Sequence, residues 1–142
     1  MEKRERRSYC PIGFGLDIFG DKWTLLVVRD LMFKGKYTYG EFLSSEEKIA
    51  TNILADRLQK LSDAGIVVRQ AVADKRVKYR YMLSQKGIDL LPVLVELILW
   101  SAKHDPHTAA DEAFVRGAHE AKVALLEKIR ATLRADLAEV AQ

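Results

Sequence analysis

Apolar residues recur at helical spacing along most of the chain and at strand spacing in one short region. A first helix is predicted to open at Cys10-Pro11 and end near Gly20, because proline suits a first helical position where its missing N–H would have no partner. A second covers about residues 22–33, with Leu25, Leu26, Val28, Arg29, Leu31 and Met32 forming a mostly buried face and Gly35 as its stop. A short third helix, about residues 39–45, has Thr38 as N-cap and Glu41 at the capping-box position.

Residues 50–64 carry the cleanest period. Leu54, Leu58 and Leu61 form one stripe, and Gly65 ends the helix. Asn52, Asp56, Gln59 and Asp63 fall opposite that stripe, with Ala55 to one side and Lys60 to the other, so this helix has a buried back and a polar front. Two strands follow, residues 66–72 and 77–83, joined by Ala73, Asp74, Lys75 and Arg76. In the second strand Val77, Tyr79, Tyr81 and Leu83 point one way to pack, and Lys78, Arg80 and Met82 the other, which makes one side cationic.

Ser84 is expected to cap a long helix reaching about His104, apolar on nearly all sides over residues 90–100, with Pro92 bending it or sitting in its first turns. That much apolar surface predicts a partner. After a break at residues 105–107, Thr108 with Asp111 starts a last helix, whose stripe of Leu126, Ile129, Leu133, Leu137 and Val140 suits helix-on-helix packing or a short coiled coil.

The fold class expected is therefore mainly α with a small β-hairpin (α+β), a winged helix-turn-helix followed by long C-terminal dimerisation helices. Residues 1–104 would form the DNA-binding domain with the first dimerisation helices, and 105–142 a C-terminal helical extension for dimerisation. With 142 residues, 49% apolar and 30% charged, the chain is long enough for one hydrophobic core and too hydrophobic for disorder. The charged start, from Met1 to Arg7, has no apolar signal core, which predicts a cytoplasmic protein. The apolar run at 90–100 is broken by Glu96 and falls short of the roughly 18–20 residues that span a bilayer, so no membrane partner is expected.

Charge adds a direction. Residues 1–104 hold 18 Lys/Arg against 13 Asp/Glu, while 105–142 hold 5 against 7, as a polyanion-binding body with a slightly acidic tail would. The order of elements supplies the geometry: a helix anchored by its back can place its front in a major groove, and a basic hairpin beside it can neutralise phosphates. Thr51, Asn52, Asp56 and Gln59 are the base-reading candidates, with Arg57 turned to a phosphate; the plainer alternatives are a solvated helix face, and Arg57 paired with Asp56 or Glu41. Lys75, Arg76, Lys78 and Arg80 are the wing candidates, or else charges that keep an edge hairpin soluble. Lys36, Thr38 and Lys48 form a second rank around the short helix.

Cys10 is the single thiol. A helix start with Arg6 and Arg7 nearby favours a reactive thiolate and a sensor role; a small buried cysteine is the alternative. Trp100, Leu97, Leu126, Ile129 and Leu133 are the expected dimer contacts, and Trp23 serves as a core or dimer anchor. His104 and His107 flank Asp105-Pro106 without a nearby cysteine, which argues against a metal site. No phosphate-binding glycine loop and no convergent acid, base and nucleophile are visible, so neither a cofactor nor an enzymatic activity is expected.

Several segments together carry a family resemblance: Cys10-Pro11-Ile12, FGDKW at 19–23, YGEF at 39–42, KIATNILADRLQKLSDAGIV at 48–67, YRYMLSQKGIDLLPVL at 79–94, and Trp100. In their order and spacing they resemble the HxlR family of MarR-like bacterial winged-helix regulators over roughly two thirds of the chain. The resemblance implies a homodimer joined through its first and C-terminal helices, a pseudo-palindromic double-stranded DNA operator with two half-sites, and control of neighbouring genes. In some members it implies a response to oxidants or electrophiles through the cysteine that Cys10 matches; a small-molecule effector of unspecified chemistry is a further partner. The sequence departs from the family at Thr38, where many members have Arg, at Ala50 and Ala55, which replace small hydroxyl residues, and in a wing without the usual double proline. Loss of the cap at Ala50 weakens the helix start by about 1 kcal/mol unless Thr51 takes over. The alternative function is a winged-helix module for protein contacts without specific DNA binding.

Overall fold

The computed structural model describes residues 7–74 and 76–140, and of Val140 the backbone only. Lys75, Arg6 and the Val140 side chain, named above, lie outside the described set. Helix α1 (Pro11–Phe19) starts from an extended Cys10 with proline in its first turn and has no buried residue. Helix α2 (Thr24–Phe33) is started by Asp21, whose carboxylate accepts hydrogen bonds from the Trp23 and Thr24 amides and the Thr24 hydroxyl. Helix α3 (Tyr39–Leu43) has the expected capping box, with Thr38 and Glu41 each bonding the other's backbone.

Helix α4 (Thr51–Asp63) buries Leu54, Leu58 and Leu61, and Gly65, at φ +73°, turns the chain into the hairpin. No side chain caps its start at Ala50; Thr51 does not take over. Strands β1 (Val67–Ala71) and β2 (Tyr79–Leu83) pair antiparallel, with Val67 opposite Leu83 and Ala71 opposite Tyr79. β1 is one residue shorter than predicted at each end, and β2 starts two residues later than predicted and ends at Leu83 as expected. Met82, expected on the cationic side, is buried at the foot of the hairpin, in a crevice it shares with Leu31, Tyr37 and Leu133.

Beyond the hairpin the helices differ from expectation. Ser84 caps a separate short helix, α5 (Gln85–Ile88), and α6 (Leu91–His104) begins anew with Pro92 in its first turn. Proline has no N–H to bond back into α5, so the chain restarts there. Gly87 fits α5 against the end of α4: a Cβ there would stand 2.3 Å from the Ile66 carbonyl oxygen. The last helix is also two. Asp111, not Thr108, caps α7 (Glu112–Glu120) by accepting from the Phe114 amide, and after Ala121 leaves helical geometry α8 (Lys122–Val140) follows.

The core joins α2, α3, α4, the hairpin, α5 and α6 around Val28, Phe42, Leu54, Leu61, Ile88, Leu91 and Val95. Helix α8 belongs to the same core. Leu126 and Leu133 are 9% and 8% exposed, and Ile129 packs beside them. These three residues, expected to meet a partner chain, are instead covered by their own protomer: α8 lies on β2, α5, α6 and α7, with Lys122 paired to Glu96 and Arg134 donating to Gln85. Among the described residues no helix is long and apolar enough to cross a membrane.

Candidate nucleic-acid interface

The stripe of leucines leaves Thr51, Asn52, Ala55, Asp56, Gln59 and Lys60 exposed on the outer side of α4. The start of that helix is held by Tyr39, whose hydroxyl donates to the Thr51 carbonyl at 2.8 Å. In the preceding loop Lys48 is exposed and takes a left-handed backbone, φ 53°, which costs a side-chain-bearing residue about 1 kcal/mol or more.

Between α3 and α4 on one side and the hairpin on the other runs an open groove of about 500 Å³. Thr38 and Gln59 line one wall; Arg69, Arg76, Lys78 and Tyr79 line the other. At the wing turn the Arg76 amide bonds the Asp74 carboxylate at 2.8 Å, which holds the turn and leaves the guanidinium outward and exposed. Arg80 lies over the Tyr37 ring at 4.7 Å, and Lys78 and Arg69 both approach the Tyr79 ring, at 5.4 and 4.4 Å. Arg69 was missed at the sequence level, since an arginine in a first strand carries no periodic signal.

Other predicted residues serve the protomer. Arg57 is not turned outward; its side chain is 21% exposed, donates to Asp21 at 3.0 Å and also pairs with Asp56. Asp21 is pushed up by partial burial, but bonds from the Thr24 hydroxyl, the Trp23 amide and Arg57 outweigh this and hold it well below the usual carboxylate range. Asp56 also meets Lys60 at 3.2 Å, and Lys60 and Arg57 lower its carboxyl. Gln59 donates to Asp63 at 2.9 Å. The Thr38 hydroxyl is taken up by the capping box. Lys36 donates to the Ser45 hydroxyl at 2.7 Å, and Ser45 to the buried Asp30. Arg29 completes that network, bonding Asp30 and Glu47, and holds the Glu47 carboxyl at about 2.

Cys10 is exposed, not buried. Arg7, expected to favour its thiolate, is paired with Asp17. Ile12, Phe14 and Leu16 on α1 stay exposed, as do Leu97 (47%) and Trp100 (66%) on α6, the latter against the His104 ring. Trp23 is half-buried, with Lys22 over its ring. A second groove, apolar and about 710 Å³, runs between α2, α6 and the loop before α7, past Leu25, Phe33, Leu94, Leu97 and Phe114. Among the described residues no three His, Cys, Asp or Glu side chains gather into a metal-binding group.

A helix presenting a polar front beside a cationic β-hairpin, both set on a helical core, defines a winged helix-turn-helix, the architecture of a DNA-binding regulator. The chain belongs to the HxlR-like helix-turn-helix family, which it matches over residues 18–109. It is 33% identical over 93 residues to an uncharacterised helix-turn-helix-type transcriptional regulator of Synechocystis sp., covering 66% of this chain and 68% of that protein. Among solved structures it resembles PA1607, described as a candidate transcription factor, with TM-score 0.63 and 37% identity over 75% of this chain and 71% of the other. It also resembles the redox regulator HypR in its oxidised form, with TM-score 0.60 and 29% identity over 67% of this chain and 97% of the other. Family membership supports a DNA-binding transcriptional regulator over a winged-helix module for protein contacts alone.

Proposed function

We propose that this protein acts in the cytoplasm as a sequence-specific regulator, binding a pseudo-palindromic operator as a homodimer. The observation that carries the reading is the shared groove, in which Ala55 and Gln59 of α4 face Arg69, Arg76 and Lys78 of the hairpin, while Thr51, Asn52 and Arg80 lie outside its lining. Asn52 and Gln59, with Thr51, are the base readers, since amide side chains bond adenine edges in pairs and Gln59 can exchange Asp63 for a base. Arg76, Lys78 and Arg80 hold phosphates. Arg57, anchored to Asp21, orients α4 and leaves that set.

The dimer forms through exposed apolar residues, Ile12 and Leu16 of α1 and Leu97 and Trp100 of α6. Cys10, exposed at the start of α1, then lies on the assembly face, where its oxidation would alter how the two recognition helices are spaced; the likeness to a protein named a redox regulator supports this role. Specificity is tested with a promoter fragment from beside the protein's own gene. Binding is expected to fall steeply with salt, and Arg76→Ala and Arg80→Ala each to flatten the salt slope by about one unit. Wild-type protein with no sequence preference at low salt overturns the reading. Diamide is expected to change operator affinity in wild type but not in Cys10→Ser; equal changes in both remove Cys10 from the mechanism.

A further inference from the structure

We infer that the groove between α4 and the hairpin seats the phosphodiester backbone of the duplex, and that Arg69, in the middle of β1 and set back from the wing turn, is a phosphate-binding residue held in position by the Tyr79 ring. The inference rests on the DNA-binding reading and extends it to a residue outside the wing turn and the recognition helix.

The charge of the groove points to a polyanion. Its lining holds three cations, Arg69, Arg76 and Lys78, and no carboxylate. Some cations elsewhere in the protomer are taken up by acidic partners, as Arg29 is by Asp30 and Glu47, Arg57 by Asp21 and Lys122 by Glu96. Among the described residues Arg69, Arg76, Lys78 and Arg80 form no ion pair, so the hairpin keeps its positive charge for an external anion. Facing those cations, Gly40, Ala55 and Ser62 line the helical side with small side chains, which leaves room for a sugar-phosphate strand. At about 500 Å³ the space is larger than one small anion needs.

Arg69 differs from the cations at the turn in being pre-positioned. Its guanidinium lies 4.4 Å from the centre of the Tyr79 ring, and across the ladder it faces Tyr81. Stacking on an aromatic face leaves the edge of the guanidinium, with its donors, free to meet phosphate oxygens, and it limits the side-chain entropy lost on binding. Lysine at this position would keep the charge and lose the planar stacking.

The test uses the full chain, a duplex containing the promoter fragment and an unrelated duplex of equal length, with affinity measured as a function of salt. Arg69→Ala is expected to weaken both duplexes alike and to lower the slope of log K against log salt by about 0.9, the signature of one lost phosphate contact. Arg69→Lys is expected to retain the slope and bind several-fold more weakly; Tyr79→Phe to match wild type; and Tyr79→Leu to bind several-fold more weakly with the slope kept. A merely structural role for Arg69 would move thermal stability and leave the slope unchanged, and a wild-type slope in Arg69→Ala beside a reduced slope in Arg76→Ala overturns the inference while DNA binding stands. Equal affinity of Tyr79→Leu and wild type overturns the positioning role of the ring. Absence of duplex binding by wild type would mean that the underlying reading had failed. Should Arg69→Ala fail to fold, Arg69→Gln, which keeps the side-chain stem, is expected to show the same loss of slope.

Discussion

Arg57 on α4 donates to Asp21 at the start of α2, thirty-six positions earlier, at 3.0 Å, and the same carboxylate caps α2. One acidic side chain thus fixes both where α2 begins and how α4 is set against it, so the angle at which Asn52 and Gln59 reach outward depends on the junction between α1 and α2.

Removing that carboxylate should loosen both helices. Asp21→Ala is expected to cost about 1–2 kcal/mol in denaturant unfolding, mostly from the lost cap, because a partly exposed ion pair contributes little. Arg57→Ala, which spares the cap, should cost less. Equal costs for the two variants would show that the ion pair, not the cap, dominates.

Acid should weaken the fold through the same group. Asp21 has a folded pKa below its ordinary 3.8, and Glu47 sits at about 2 against an ordinary 4.5. Depressed carboxyl values contribute stability that is complete above the unfolded pKa and lost as pH falls through the folded one. Stability is therefore expected to be level down to about pH 5 and to decline below it. Asp21→Asn and Glu47→Gln should each shallow that decline, and unchanged profiles would contradict the assignment.

The buried Asp30 collects bonds from Arg29 and Ser45 inside the core. Asp30→Ala is expected to cost about 3 kcal/mol, since the buried Ser45 hydroxyl loses its acceptor and Arg29 is left with Glu47 alone. A loss under 1 kcal/mol in chemical denaturation would count against the network.

Helices α6 and α8 make opposite predictions. Leu133→Ala, in the protomer's own core, is expected to lower stability by about 2–4 kcal/mol and leave the oligomer intact. Trp100→Asp, on the exposed face of α6, should keep the helical circular dichroism and yield monomers in light scattering. Monomers from Leu133→Ala with unchanged stability would restore α8 to the dimer interface.

Much of this was legible in the residues themselves. The period of Leu54, Leu58 and Leu61, the Thr38 and Glu41 capping box and the alternation through Tyr79 and Tyr81 are local, and local spacing decides which side of a helix or strand is apolar. Spacing does not say what covers that side. Leu126 and Leu133 read equally well as a dimer seam and as core, and Met82 reads as outward until the base of the hairpin is packed. The same holds for charge: a sequence shows that Arg57 and Arg69 are cations, but only the approach of Asp21 to one and Tyr79 to the other separates a fixed strut from a side chain turned toward a ligand. Periodicity is a property of neighbours along the chain, whereas burial and ion pairing belong to surfaces that meet only when distant segments pack.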